Sequence, residues 1–195
     1  MELAFSADQR VLFDAFEQFF SRECPPSVVR GAEPLGFDGG LWASLNAMEV
    51  WGSDALLGDL CVIGETVGRS LAPVPFVDHA VASRLLGWPS LLAGESIGAI
   101  SPRAAHNGAW PLVPSGAVAD VVMGMDGAVF VAVSSPAPFS GPRNHASAPI
   151  ADRGVLGEQR LVLGGRDEFD QVMNEWKVLT ASVLVGVASI ALEIA

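Results

Sequence analysis

The residues able to do nucleophilic, acid–base or metal chemistry are few: three histidines and two cysteines, with 22 acids set against 11 bases in 195 residues. Cys24 and Cys61 show no Cys-x-x-Cys spacing and have no neighbouring histidine. Neither a disulfide framework nor a zinc site is indicated, and both are expected as buried reduced thiols. His106 and His145 fall in loop-like sequence without a partner at metal-ligand spacing, so they are expected at the surface and no metal is expected. His79 and Ser83 share one face of a predicted helix. No G-x-G-x-x-G follows a strand-like run, so a dinucleotide fingerprint is not indicated.

The elements that would position these residues change character along the chain. Ser6-Ala7-Asp8-Gln9 fits a capping box, and Val11, Leu12, Ala15, Phe16, Phe19 and Phe20 recur at helical spacing as one apolar face. Cys24-Pro25-Pro26 stops that helix, because proline lacks an N–H and constrains its predecessor. A glycine- and proline-rich loop follows, then helices expected over 41–50, 54–70 and 77–86. In the middle, runs 120–125 and 128–133 read as a hairpin around Asp126-Gly127, residues 134–148 as a proline-rich loop, and 160–163 as another strand. From Val178 no charge occurs until Glu193, and that run reads as a helix with Ser182 and Gly186 at small-residue spacing. The fold class expected is α+β: an N-terminal helical bundle over 1–93, a small central β domain over 94–168, and over 169–195 the start of a C-terminal helical bundle.

A formal net charge of -11 and a single lysine, Lys177, exclude a basic surface of the kind nucleic acids or anionic membranes require. Met1-Glu2 does not begin a secretory signal, and a cytoplasmic location is expected. The charge-free run after Val178 falls short of the roughly 20 apolar residues of a membrane span, so a helix buried in a bundle is expected instead.

One segment, Glu65-Thr66-Val67-Gly68-Arg69-Ser70-Leu71-Ala72-Pro73-Val74-Pro75-Phe76, resembles the E-x-x-G-R-x-L-A-P-x-P-F stretch of the acyl-CoA dehydrogenase family. Ala119-Asp120-Val121-Val122 is similar to that family's A-D-x-x strand, and 178–195 to the first long helix of its C-terminal bundle. The resemblance is closest to divergent actinobacterial members, and the chain then spans roughly half of a typical member. It implies FAD-dependent α,β-desaturation of an acyl-CoA thioester, in which a carboxylate takes the α-proton and the β-hydrogen leaves as hydride to the flavin.

The residues that chemistry needs are incompletely present. The usual base lies late in the C-terminal bundle, which this chain does not contain. The position some members use instead aligns with Trp176, and Glu175, about 100° away around a helix, reads as a solvated first-turn acid. The T-E-x-x-x-G-S-D motif is not reproduced over 100–107, and the W-I-T-N positions are Leu112, Val113, Pro114 and Ser115. Position alone makes Val113, Pro114 and Ser115 the candidate flavin contacts, and His79 and Ser83 the candidate substrate-facing pair. Arg143 is the loop cation that a CoA phosphate would meet, with a merely solvated arginine as the alternative.

Three readings follow, the last of them a membrane-attached protein, kept only for the apolar run after Val178. In the first, the chain is an acyl-CoA dehydrogenase subunit acting on a steroid side-chain or fatty acyl thioester, in a homo- or hetero-oligomer whose partner supplies the base and most of the FAD site. In the second, it is a non-catalytic remnant that self-associates through its C-terminal helix.

Overall fold

The computed structural model describes residues 5–52 and 55–195. Met1-Glu2, on which the absence of a signal rests, and Asp54, where the third helix was expected to begin, lie outside the described residues. Ser6 caps α1 (Ala7–Glu23) as its spacing requires: Gln9 N–H donates to Ser6 Oγ at 3.1 Å and Ser6 N–H to Gln9 Oε1 at 3.2 Å. Only Phe16, Phe19 and Phe20 of the expected apolar face are buried, whereas Val11 is 70% exposed. Pro25 and Pro26 stop α1 and at once start a short helix, α2 (Pro26–Gly31), because proline at the first helical positions lacks only an N–H that would be unpaired anyway.

Helices α3 (Gly39–Asn46), α4 (Leu57–Arg69), α5 (Phe76–Leu86) and α6 (Pro89–Leu92) complete the N-terminal module. Its core is aromatic: Trp42 stacks on Trp51 at 5.3 Å between ring centres, and both rings meet His79 edge-on. The indole N–H groups reach Gly94 carbonyl at 3.0 Å and Asn46 Oδ1 at 2.6 Å, so this core carries no unpaired donor.

Six strands follow: β1 (Gly98–Ile100), β2 (Ala109–Val113), β3 (Val121–Asp126), β4 (Val129–Ser134), β5 (Ala151–Gly154) and β6 (Gln159–Gly164). They form a sheet in the order β1-β3-β4-β6 and a separate pair β2-β5. The expected hairpin is present but shifted by one residue. Asp126 pairs with Val129, which leaves Gly127-Ala128 as the turn, and Gly127 alone takes a positive φ of 61°. Strands β1, β2 and β5 carry no alternating pattern that sequence could reveal. β1 is three residues long, β2 contains Pro111 and a register shift, and β5 places Arg153 inward. That guanidinium is 5% exposed and donates to the carbonyls of Gly116 and Ser135 at 2.7 and 2.9 Å. It stitches the loops around β5 without a carboxylate partner in contact among the described residues.

The last helix, α7 (Arg166–Ile194), begins well before the charge-free run and is 29 residues long. Its first turns, rich in Asp and Glu, hid its start from hydropathy. By length and composition it is long and apolar enough to cross a membrane, contrary to the expectation from its charge-free part. Its N-terminal half packs on the sheet, with Phe169 edge-on to Phe130 at 5.4 Å, and its C-terminal half lies along α4. There Ser182 and Gly186 meet Gly64 and Gly68 in a close crossing of two small-residue faces. A Cβ on Gly68 would overlap the Val183 carbonyl, and one on Gly186 the Glu65 carbonyl. Arg69 closes the same crossing, donating to both carboxylate oxygens of Glu193 at 2.8 and 2.9 Å and pairing with Glu17 of α1.

Candidate functional site

Asp78 and His79 are neighbours on α5, and the helical rotation between them sends them to opposite sides. His79 is fully buried; its Nδ1 accepts the Gly98 N–H at 3.2 Å and its Nε2 lies 3.0 Å from the Leu91 carbonyl. The first contact requires an unprotonated Nδ1, so Nε2 carries the proton and donates. Burial lowers the imidazole to about 3 against an ordinary 6.5, keeping it neutral. Ser83, also buried, donates to the Ala80 carbonyl at 3.1 Å. His79 therefore joins α5 to β1 and to α6 and has no nitrogen left for a substrate, while the Ser83 hydroxyl is satisfied within α5.

Asp78 points the other way, into the junction of all three modules. Its Oδ2 accepts from Ser115 Oγ at 2.6 Å and its Oδ1 from Trp176 Nε1 at 2.8 Å. Ser115 sits in the turn between β2 and β3 at a positive φ of 54°, and Trp176 belongs to α7. The carboxyl is 7% exposed, and burial raises it to about 6, offset in part by the hydrogen bonds from Ser115 and Trp176. The indole is a donor only, whereas the serine hydroxyl can rotate and accept. Asp78 can thus hold a proton on Oδ2 while both links persist. No spacing rule joins residues 78, 115 and 176; the signal that could have found Asp78 is that it is the one acid of α5, in its first turn.

Glu175 faces away from this junction. Its Oε2 accepts from Arg84 Nε at 3.1 Å, so it is ion-paired and lies in the third turn of α7, not in a first turn. Beside Asp78 and Ser115 lies a cleft of about 190 Å³ with apolar walls from Val67, Leu71, Val74, Phe76, Val183 and Val187. A larger cleft of about 440 Å³ separates the helical module, at Glu33, Gly36 and 71–74, from the loop 145–149, and Arg143 lines a neighbouring cleft of about 320 Å³. Among the described residues no cluster of three or more histidine, cysteine or acidic side chains is arranged to hold a metal ion.

This architecture is the acyl-CoA dehydrogenase fold, followed along the whole chain. The ChsE4-ChsE5 complex from Mycobacterium tuberculosis superposes with a TM-score of 0.81 at 16% identity, over 100% of this chain and 67% of that one. A variant of the Tcur3481-Tcur3483 steroid ACAD gives 0.74 at 21% identity, over 96% of this chain and 65% of that one. Butyryl-CoA dehydrogenase from Megasphaera elsdenii gives 0.75 at 12% identity, over 99% and 69%. No protein-family model and no curated protein sequence matches the chain. The chain spans about two thirds of the length of these structures, more than the half its motifs implied.

The sequence resemblance made Val113, Pro114 and Ser115 the candidate flavin contacts. Val113 is fully buried in β2 and its carbonyl accepts the Gly116 N–H at 3.0 Å. The Ser115 hydroxyl donates to Asp78 and its carbonyl accepts from Val118 and Ala119. Pro114 has no N–H to offer. The Ser115 hydroxyl and the Val113 and Ser115 carbonyls are thus engaged inside the chain.

Proposed function

We propose that this chain is one subunit of a cytoplasmic, flavin-dependent acyl-CoA dehydrogenase that desaturates a steroid side-chain or fatty acyl thioester, with a partner chain supplying the base and most of the FAD site. The observation that carries this reading is α7, whose outward side chains remain uncovered: Leu184 is 61% exposed, and Leu192 and Ile194 are each 79% exposed. Contiguous apolar surface of this kind marks an interface. Two structures with this fold, ChsE4-ChsE5 and the steroid ACAD Tcur3481-Tcur3483, are assemblies of two different chains by name, which supports the same reading. In it the 440 Å³ cleft between the helical module and loop 145–149 contributes to the substrate groove, and Arg143 meets a CoA phosphate. Co-expression with an acyl-CoA dehydrogenase-like partner tests it. Gained solubility, bound FAD and acyl-CoA-dependent dye reduction are expected, and a co-purified complex without FAD or dye reduction would overturn the reading.

The second reading, a non-catalytic remnant that self-associates through α7, is favoured by a different observation. Ser115 and Trp176, the positions that the resemblance ties to flavin contact and to the base, both hydrogen-bond one carboxylate, Asp78. It predicts a homodimer by sedimentation that no partner chain displaces.

A further inference from the structure

Asn107 and Gly108 form a two-residue turn just before β2. His106 and Ala109 exchange both backbone hydrogen bonds around it, at 2.8 and 3.1 Å, and the residues between them take positive φ values of 51° and 76°. Both are exposed, and a Cβ on Gly108 would meet nothing within 4 Å. Among the described residues neither the Asn107 side-chain amide nor the Gly108 N–H has a hydrogen-bond partner. An amide carbon and the backbone nitrogen one residue on, both open to water at a mobile kind of position, can react with each other.

The other candidates for this chemistry are held. Of the four asparagines, Asn46 donates to the Gly94 carbonyl at 3.1 Å and accepts from Trp51 at 2.6 Å. Asn144 donates to the Ala148 carbonyl and accepts the Ala148 N–H, each at 2.9 Å. Asn174 lies inside α7, where the N–H of Glu175 belongs to the helical ladder. In the Asp126-Gly127 turn, Arg160 holds the Asp126 carboxylate at 2.9 Å, and an ionised carboxylate is a poor electrophile.

We propose that Asn107-Gly108 is a self-modifying site, at which Asn107 is converted through a succinimide to aspartate and isoaspartate while the chain stays folded. The Gly108 nitrogen gives up its proton and bonds to Asn107 Cγ; the Cγ–Nδ2 bond breaks and Nδ2 leaves as ammonia with that proton. Water then opens the ring. Cleavage at Cγ gives aspartate, and cleavage at the backbone carbonyl gives isoaspartate, with the chain running through Cβ and Cγ. Only water is consumed and nothing is oxidised or reduced. Glycine at 108 lets the peptide rotate toward Cγ without a Cβ in the way. Each conversion adds one negative charge to a chain already at -11, and isoaspartate lengthens the 106–109 turn by one backbone carbon. The site does not depend on the proposed dehydrogenase reaction, a partner or flavin.

Incubation of the purified full chain at 37 °C, at pH 6 and pH 8, with peptide mass mapping and isoaspartate assay, tests it. Asn107 is expected to gain the mass of an amide-to-acid exchange, faster at pH 8, while Asn46, Asn144 and Asn174 stay intact. The same incubation in urea should release the other asparagines but leave the rate at Asn107 within about threefold, since the exposed turn already admits the reaction. Gly108→Ala should slow conversion at least about tenfold, because a Cβ restricts the rotation. If that variant does not fold, the comparison of the four asparagines in the unaltered chain decides. An intact Asn107 in the folded chain that converts only in urea, or conversion of the other three at the same rate without urea, would overturn the proposal.

Discussion

The indole of Trp176 donates to Asp78 Oδ1 at 2.8 Å across 98 positions of sequence, and Ser115 donates to the other oxygen of the same carboxylate. One residue from the helical module, one from the β module and one from α7 thus meet at a single buried group. Replacing Trp176 with Phe keeps an aromatic ring, though a smaller one, and removes one donor from a desolvated acceptor. A loss of about 1–3 kcal/mol is expected, the usual cost of leaving a buried polar group short of a partner. Urea unfolding of the variant measures this, and an unchanged midpoint would show that the contact contributes nothing.

The same carboxyl sets a pH dependence whose sign is opposite to that of an ordinary salt-bridged acid. Its folded value of about 6 lies above the ordinary 3.8, so its contribution is fully present below 3.8 and is lost as pH rises through about 6. The stability of the unaltered chain relative to Asp78→Asn should therefore increase by about 2 kcal/mol as pH falls from 8 to 4. Taking the difference between the two proteins cancels the other titrating groups. A difference that is flat across that range, or one that grows with rising pH, would contradict the burial of an uncompensated carboxylate.

His79 behaves in the reverse sense. Its folded value of about 3 lies below 6.5, so its contribution is present above 6.5 and is lost as pH falls toward 3. Nitrogen-15 spectra at pH 5 are expected to show a neutral ring carrying its proton on Nε2, since Nδ1 accepts from Gly98. A charged imidazole at that pH would mean that the ring reaches solvent and that the α5–β1 junction is open.

Much of the scaffold was legible in the sequence where a local rule suffices. The capping box at Ser6 and Gln9, the proline stop after Cys24 and the glycine turn at 127 are each decided by a few adjacent residues. The small residues Ser182 and Gly186 have a spacing suited to close helix packing in lipid, but nothing in the sequence shows that they pack instead on Gly64 and Gly68 of α4. The candidate site was not legible, for a physical reason. Asp78, Ser115 and Trp176 lie on different elements and share no spacing, and what makes Asp78 unusual is the absence of charge around it in three dimensions. His79 drew attention as a polar residue on a helix face, yet its partners are backbone groups that a sequence does not display.

The α4–α7 crossing gives a steric prediction. The faces formed by Gly64, Gly68, Ser182 and Gly186 bring backbone against backbone, so Gly68→Ala or Gly186→Ala places a methyl group on a carbonyl oxygen. Backbone cannot rotate out of the way as a side chain can, and each variant is expected to lose about 1–3 kcal/mol or more. Hydrogen exchange should then accelerate in the second half of α7 before it does in α5. Wild-type exchange in both variants would mean that α7 is held by contacts other than this crossing.

The outward face of the same helix predicts the opposite pattern. Leu184, Leu192 and Ile194 touch little of the described chain, so replacing Leu184 with Ser and Leu192 with Glu removes no internal packing. Unfolding free energy is expected to change by no more than about 0.5 kcal/mol, as for surface substitutions away from special features. Association should change instead. Sedimentation of the isolated chain is expected to shift toward monomer, and capture of a co-expressed acyl-CoA dehydrogenase-like partner should be lost. A fall of about 2 kcal/mol or more in stability would place this face in the internal core. Unaltered association together with unaltered stability would leave α7 without a docking role, and both proposed readings of this chain would fall with it.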